Sequence, residues 1–175
     1  MMKRVTVYTD GSCKGNPGPG GYGVVLRYTA EDGQTYEKEL SAGYRLTTNN
    51  RMEILAAVIA LEALKVPCEV DLYSDSQYLV NAMNEGWVDK WKRLGWYRDA
   101  KRREKAKNVD LWQRLETAAA RHQVRYSWVK GHAENEFNNR CDELAQAAAS
   151  DPDHLRERTA PVSPLEGKGA VCLPD

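Results

Sequence analysis

Three consecutive segments of the chain alternate apolar and polar residues with a period of two, and this pattern most restricts how the chain can fold. The segments are residues 5–10, 22–28 and 35–44, and β-branched or aromatic residues recur in them. The first segment ends at Asp10, and a loop dense in Gly and Pro follows over residues 11–21. Three antiparallel strands are the simplest interpretation.

Helical spacing takes over after the third strand. Residues 50–65 place Met52, Leu55 and Ile59 on one face, after a helix cap at Thr48 or Asn49. The remaining pattern predicts a strand at 69–74, helices at 76–83 and 109–120, a strand at 124–129 and a helix at 139–149. The order βββαβα(α)αβα predicts an α/β fold, with a mixed sheet and helices on its faces.

The composition predicts one soluble domain. The chain has 175 residues, 42% apolar and 29% charged, and no apolar run approaches the roughly 20 residues of a membrane span. Because the N-terminus already alternates as a strand, it leaves no room for a signal peptide, and we expect a cytosolic protein. Four prolines interrupt residues 151–175, which we expect to be a disordered, dispensable tail behind a catalytic domain at residues 1–150.

Four scattered cysteines carry no recognisable metal or redox pattern. Cys13, Cys68, Cys141 and Cys172 form no CxxC pair and have no His partner at zinc spacing. We therefore expect free thiols.

Four carboxylates are the candidate ligands of a hard cation: Asp10, Glu53, Asp75 and Asp142. Mg²⁺ prefers carboxylate oxygens, and a pair of such ions can stabilise both oxygens of a phosphodiester under attack. Each residue alone has an ordinary alternative, since Asp before Gly is common in turns and acidic residues on helices are usually solvated. The sequence pattern by itself does not establish that they converge.

A basic stretch answers the objection that a chain of zero net charge makes a poor nucleic-acid binder. Residues 90–107 contain nine Lys or Arg against two acidic residues, and phosphates respond to local charge. Trp87, Trp91 and Trp96 lie among or beside these cations, which suits a nucleic-acid backbone with sugar or base surfaces. A solvated face is the alternative.

Four motifs, in this order and spacing, resemble bacterial type 1 ribonuclease H: YTDGSCKGNPGPGGYG, TTNNRMEILA, YSDSQY and VKGHAENEFNNRCDELA. The resemblance spans residues 3–149. It implies the ribonuclease H-like fold, with a five-stranded mixed sheet of three antiparallel and then two parallel strands, and helices on both faces. It also implies a monomeric endonuclease that hydrolyses the RNA strand of RNA/DNA hybrids.

The resemblance assigns chemical roles to particular residues. Asp10, Glu53, Asp75 and Asp142 would bind one or two Mg²⁺ ions, or Mn²⁺ as a substitute, and the products would carry 5′-phosphate and 3′-hydroxyl ends. His132, on a loop, would assist proton transfer or product release. An isolated His in such a loop is otherwise more often structural.

The resemblance also assigns the contacts with the hybrid. Short polar residues would recognise the ribose 2′-hydroxyls, which distinguish RNA from DNA. Those expected near the scissile region are Gly11, Cys13, Asn16, Thr48, Asn49, Asn50 and Gln77, with Thr48 near a DNA phosphate. Capping and turn formation are the alternative roles for Asn and Thr. The residues in or beside the basic stretch that are expected to hold the DNA strand are Trp87, Lys92, Arg93, Trp96, Lys101, Arg102 and Arg103.

The chain departs from the family pattern at two places. Asn139 stands where the family commonly has Glu, and the junction at residues 84–86 is one residue longer than the family pattern.

Two other functions are possible alternatives. A non-catalytic hybrid-binding module would not need all four carboxylates. A transposase or integrase core, or a Holliday-junction resolvase, would not need the NPGPGG loop and the Trp-rich basic stretch.

Overall fold

A six-stranded mixed sheet forms the centre of the computed structural model, which describes residues 2–131, 135–157 and 173. The strands are β1 (Lys3–Cys13), β2 (Gly18–Thr29), β3 (Thr35–Thr47), β4 (Cys68–Ser74), β5 (Gln123–Trp128) and β6 (Leu155–Arg156). The helices are α1 (Asn49–Ala63), α2 (Gln77–Asn84), α3 (Trp87–Arg93), α4 (Val109–Ala119) and α5 (Glu136–Ala149). The strand order is β5-β4-β1-β2-β3-β6, with antiparallel β1–β2–β3 and parallel β1–β4–β5. The predicted fold class is confirmed, but with six strands rather than five.

Helix α1 is the centre of the hydrophobic core. Eleven of its fifteen residues are buried, because it packs between the sheet and α4. Its cap is Thr48, whose hydroxyl accepts a hydrogen bond from the Arg51 N–H at 3.2 Å. Although α1 is apolar, no helix in the described part of the chain combines the length and hydropathy that crossing a membrane requires.

Strands β1 and β2 are longer than their sequence pattern predicts, and only residues 14–17 separate them. The prediction of a loop over residues 11–21 was wrong, because several of its glycines pair in the sheet. At Gly23 a Cβ would collide with the carbonyl oxygen of Cys141, so α5 lies directly on β2 only because a side chain is missing there. Asp10 consequently lies inside β1 and not at its end.

Helix α5 differs from its predicted extent, and α3 is the helix that the predicted order placed in parentheses without a range. Helix α5 begins at Glu136 and not at residue 139, because the Asn135 side chain accepts hydrogen bonds from the N–H groups of Phe137 and Asn138. Helix α3 lies at the start of the basic stretch, where dense charge obscured its periodicity.

The described cysteines have the predicted chemical state. Cys13, Cys68 and Cys141 are free thiols, and Cys172 lies outside the described residues. The thiol of Cys141 is buried and donates a hydrogen bond to the Tyr8 carbonyl at 3.2 Å, which fastens α5 to β1.

The sixth strand comes from the segment that the sequence assigned to a disordered tail. Leu155 and Arg156 pair with Gly43 and Tyr44 at the edge of β3, and the Leu155 side chain covers Gly43. The Arg156 guanidinium lies 5.9 Å from the centroid of the Tyr44 ring. A strand of only two residues is too short to recognise from its sequence pattern. Strand β6 nevertheless covers part of the edge of β3.

Deleting residues 151–175 is expected to lower the free energy of unfolding by about 1–2 kcal/mol, because partly buried Leu155 and the edge pairing are lost. The matched control ends the chain after Glu157 and keeps β6. Urea denaturation of the two truncated proteins measures the difference. Equal stabilities would mean that β6 contributes nothing to the fold.

Candidate metal centre and nucleic-acid cleft

Three of the four predicted carboxylates meet at one point of the sheet. Strands β1 and β4 are parallel neighbours in which Thr9 pairs with Ser74, and Asp10 and Asp75 therefore follow side by side. Glu53 reaches them from α1. One carboxylate oxygen of each residue lies within 4.8 Å of the other two.

The approach of Glu53 depends on the glycine after Asp10. A Cβ at Gly11 would lie 2.6 Å from the backbone nitrogen of Glu53 and 2.7 Å from Met52 atoms, distances that real side chains do not tolerate. The absence of a side chain therefore lets α1 rest on β1. The Gly11 N–H also donates to Asp10 Oδ1 at 2.9 Å, which orients that carboxylate.

The electrostatics of this group fit a divalent cation. Asp10 is 4% exposed and Glu53 8%, and burial together with the charge of Asp75 raises the pKa of Asp10 to about 8. Burial and the charge of Asp10 raise the pKa of Glu53 well above its ordinary value, and the buried Glu53 Oε2 has no hydrogen-bond partner. Oxygens bound to one Mg²⁺ at about 2.1 Å lie up to about 4.2 Å apart. Small side-chain movements would therefore suffice for these three carboxylates to share an ion.

Asp142 faces the same cleft from α5 but stands outside the close group of three. The cleft has a volume of about 540 Å³, and all four carboxylates line it. Five predicted substrate contacts also line it, namely Gly11, Cys13, Asn49, Asn50 and Gln77. The structure thus brings most of the residues predicted near the scissile region to one surface.

Two other predicted contacts, Asn16 and Thr48, do not line this cleft. The Asn16 side-chain oxygen accepts a hydrogen bond from the Asn49 N–H at 2.9 Å, and Thr48 caps α1. Both therefore hold the loop before β2 and the start of α1 in place. His132 lies outside the described residues, but Gly131 directly before it lies against the Asp75 carboxylate.

The cleft contains four polar residues that were not predicted, and each had a local signal. Ser12 and Ser76 stand close to Asp10 and Asp75 in the motifs themselves, and Tyr78 follows in YSDSQY. Gln146 comes one helical turn after Asp142, a spacing that puts both side chains on one face. Asn139, the departure from the family pattern, lies half-buried three residues before Asp142.

A second cleft, of about 440 Å³, adjoins the first, because Asn50 and Tyr78 line both. Its other walls combine tryptophan with cations: Trp87, Trp91, Lys90, Arg98 and Lys107. The sequence counted these three cations in the basic stretch but did not select them as contacts. Together the two clefts form one path from carboxylates to positive charge.

Among the predicted contacts of the basic stretch, only Trp87 lines the second cleft, and it is 39% exposed. Lys92 pairs with Glu116, Arg103 pairs with Asp99, and Arg102 lies over the Tyr97 ring. Trp96 packs against the core, whereas Arg93 and Lys101 are exposed. The aromatic residues of this stretch thus pack against the core as well as lining the cleft.

Comparison with known proteins identifies the family. A sequence profile of the family RNase H matches residues 2–150. A Ribonuclease H of Syntrophus aciditrophicus is 62% identical over 152 residues, covering 87% of this chain and 84% of the relative, and one of Klebsiella pneumoniae is 56% identical, covering 87% and 93%.

Solved structures agree with the sequence relatives. LC9-RNase H1, described as a type 1 RNase H with the type 2 active-site motif, superposes with a TM-score of 0.76 at 34% identity, covering 85% of this chain and 73% of that one. LC11-RNase H1 in complex with RNA/DNA hybrid superposes with a TM-score of 0.60 at 29% identity, covering 83% and 96%. The matching profile and relatives agree with the carboxylates that line the first cleft and the cations that line the second. The chain belongs to the ribonuclease H family.

Proposed function

We propose that this protein is an endonuclease that hydrolyses the RNA strand of RNA/DNA hybrids with divalent metal ions, leaving 5′-phosphate and 3′-hydroxyl ends. The observation that carries the proposal is the carboxylate group of Asp10, Glu53 and Asp75 inside a cleft that continues into a basic cleft. A relative, LC11-RNase H1, has been solved with RNA/DNA hybrid, which supports the choice of substrate.

The four carboxylates supply oxygen ligands for one or two Mg²⁺ ions. When bound, such ions stabilise the charge on the attacking and leaving oxygens of the phosphodiester and lower the pKa of a bound water. Asp10 and Glu53 are held by burial in the core, and Asp75 follows a central strand. These three therefore form a preorganised group, to which Asp142 adds a carboxylate from α5.

Recognition of the RNA strand falls to the short polar side chains of the first cleft. Cys13, Asn49, Asn50 and Gln77 line the same cleft as the four carboxylates. Amide side chains both donate and accept, which suits a 2′-hydroxyl. We propose that these residues discriminate ribose from deoxyribose, while the basic cleft holds the DNA strand.

Four further expectations remain predictions. His132 would assist proton transfer or product release, and the protein would act as a monomer in the cytosol. Mg²⁺ would be the working ion, with Mn²⁺ as a substitute.

The decisive assay incubates labelled RNA/DNA hybrid, duplex DNA and duplex RNA with the protein and Mg²⁺. Only the RNA of the hybrid should be cut, and the cut RNA should carry 5′-phosphate ends that a 5′-phosphate-dependent exonuclease degrades. Asp10→Asn should abolish cleavage, whereas the exposed control Asp153→Asn should not.

Other outcomes would point to the rival functions. Cleavage of duplex DNA would indicate a transposase-like or resolvase-like nuclease of the same fold. Binding of the hybrid without cleavage in either Mg²⁺ or Mn²⁺ would indicate a non-catalytic binding module.

A further inference from the structure

We propose that Gln146 is a positioning residue for Asp142, fixing the carboxylate that stands apart from the other three. The inference rests on the proposed function, because it concerns how Asp142 is presented to a metal ion. It adds to the four carboxylates a neutral side chain whose role is to orient one of them.

The geometry is direct. Gln146 Nε2 donates a hydrogen bond to Asp142 Oδ2 at 2.8 Å, and both side chains line the first cleft. The two residues lie four apart on α5, the spacing at which side chains of a helix meet. A hydrogen bond to an ionised carboxylate is stronger than one between neutral groups.

Asp142 needs such a partner more than Asp10 and Glu53 do. Asp10 and Glu53 are almost fully buried, so packing restricts their rotation, and Asp10 also accepts the Gly11 N–H. Asp142 is only half-buried and reaches the cleft from a helix face, where an aspartate can adopt several rotamers. A hydrogen bond on Oδ2 selects one orientation and leaves Oδ1 for a ligand.

The backbone beneath Asp142 is already fixed. Cys141 is fully buried and bound to the Tyr8 carbonyl, and the Asn135 cap fastens the start of α5. The remaining freedom is in the Asp142 side chain itself. An amide also leaves the full negative charge of Asp142 available to a cation, whereas a Lys or Arg at the same position would compete with that cation.

The test compares Gln146→Met, which keeps length and helix propensity but removes the donor, with Gln113→Met at an exposed site on α4. Calorimetric titration of the free protein with Mn²⁺ should show an affinity about threefold to tenfold lower for Gln146→Met. The Mg²⁺ concentration for half-maximal cleavage should rise by a similar factor. The KM for hybrid and the urea midpoint should stay as in the parent and in Gln113→Met.

A double-mutant cycle tests whether Gln146 acts through Asp142. If Gln146 acts through Asp142, Gln146→Met should add nothing to the Mn²⁺ affinity loss of Asp142→Asn. Unchanged Mn²⁺ affinity and Mg²⁺ dependence in Gln146→Met, or full additivity with Asp142→Asn, would overturn the proposal. Failure of the parent protein to cut hybrid would instead contradict the proposed function, so the two failures are distinguishable.

Discussion

Asp10→Asn is expected to abolish hybrid cleavage and at the same time to raise the free energy of unfolding of the metal-free protein by roughly 1–3 kcal/mol. The reason is that burial and the charge of Asp75 raise the pKa of Asp10 to about 8. Without a cation, the ionised form of Asp10 therefore destabilises the folded protein. The gain is only part of what that pKa implies, because Glu53 and Asp75 still repel each other in the variant. Urea denaturation at pH 8 in EDTA measures it.

The sign of the pH dependence follows from the raised pKa. The folded protein holds a proton on Asp10 that the unfolded chain has released above its ordinary pKa of 3.8. Stability of the metal-free parent should therefore fall as pH rises from about 4 to about 8, and Asp10→Asn should flatten this slope. Mg²⁺ should stabilise the parent more than the variant. A variant less stable than its parent at pH 8 would mean that the carboxylates do not repel.

Replacing Lys90, Arg98 and Lys107 together by Ala is expected to raise the KM for hybrid by about tenfold to a hundredfold and leave kcat nearly unchanged. These three cations line the second cleft beside Trp87, whereas the carboxylates line the first cleft, so we expect the loss to affect binding and not the chemical step. The slope of log affinity against log salt should become shallower by about 3, as three phosphate contacts are lost. Binding isotherms at several salt concentrations measure it.

The matched control replaces Lys101, Arg102 and Arg103, three cations of the same stretch that do not line the cleft. It removes the same number of positive charges. If only the long-range field of these charges mattered, both triple variants would therefore lose the same affinity. We expect a loss several times smaller. An equal loss of affinity in the two triple variants would mean that binding depends on the charge of the whole basic stretch and not on the cations that line the second cleft.

The sequence predicted which residues lie together better than how they are arranged. The four carboxylates and five polar contacts could be named because long motifs carry them, and they do line one cleft. The division between a close group of three and a separate Asp142 could not be predicted, since it depends on strand register and on how α5 lies over β2. Gln146 had a signal only in its spacing from Asp142.

The fold was predictable wherever periodicity is undisturbed, and it was mispredicted where glycine has a packing role. Gly20 and Gly21 were interpreted as loop residues, but they pair with β1 in the sheet, and a Cβ at Gly21 would lie 2.6 Å from the Ala145 carbonyl oxygen of α5. Glycine is common in loops because of its conformational freedom. In this sheet, the absence of a Cβ instead lets α5 pack closely on the strands. Strand β6 was missed because two residues carry no period at all.

The placement of Glu53 has a consequence for how the enzyme adapts. A carboxylate on the most deeply buried helix can move only as far as the core allows, so Glu53 and buried Asp10 form a rigid pair. Adjustment during binding and release must therefore fall to the half-buried carboxylates, Asp75 and Asp142. In such a design, changes in core packing would alter catalysis, and changes on α5 would tune which ions and substrates are accepted.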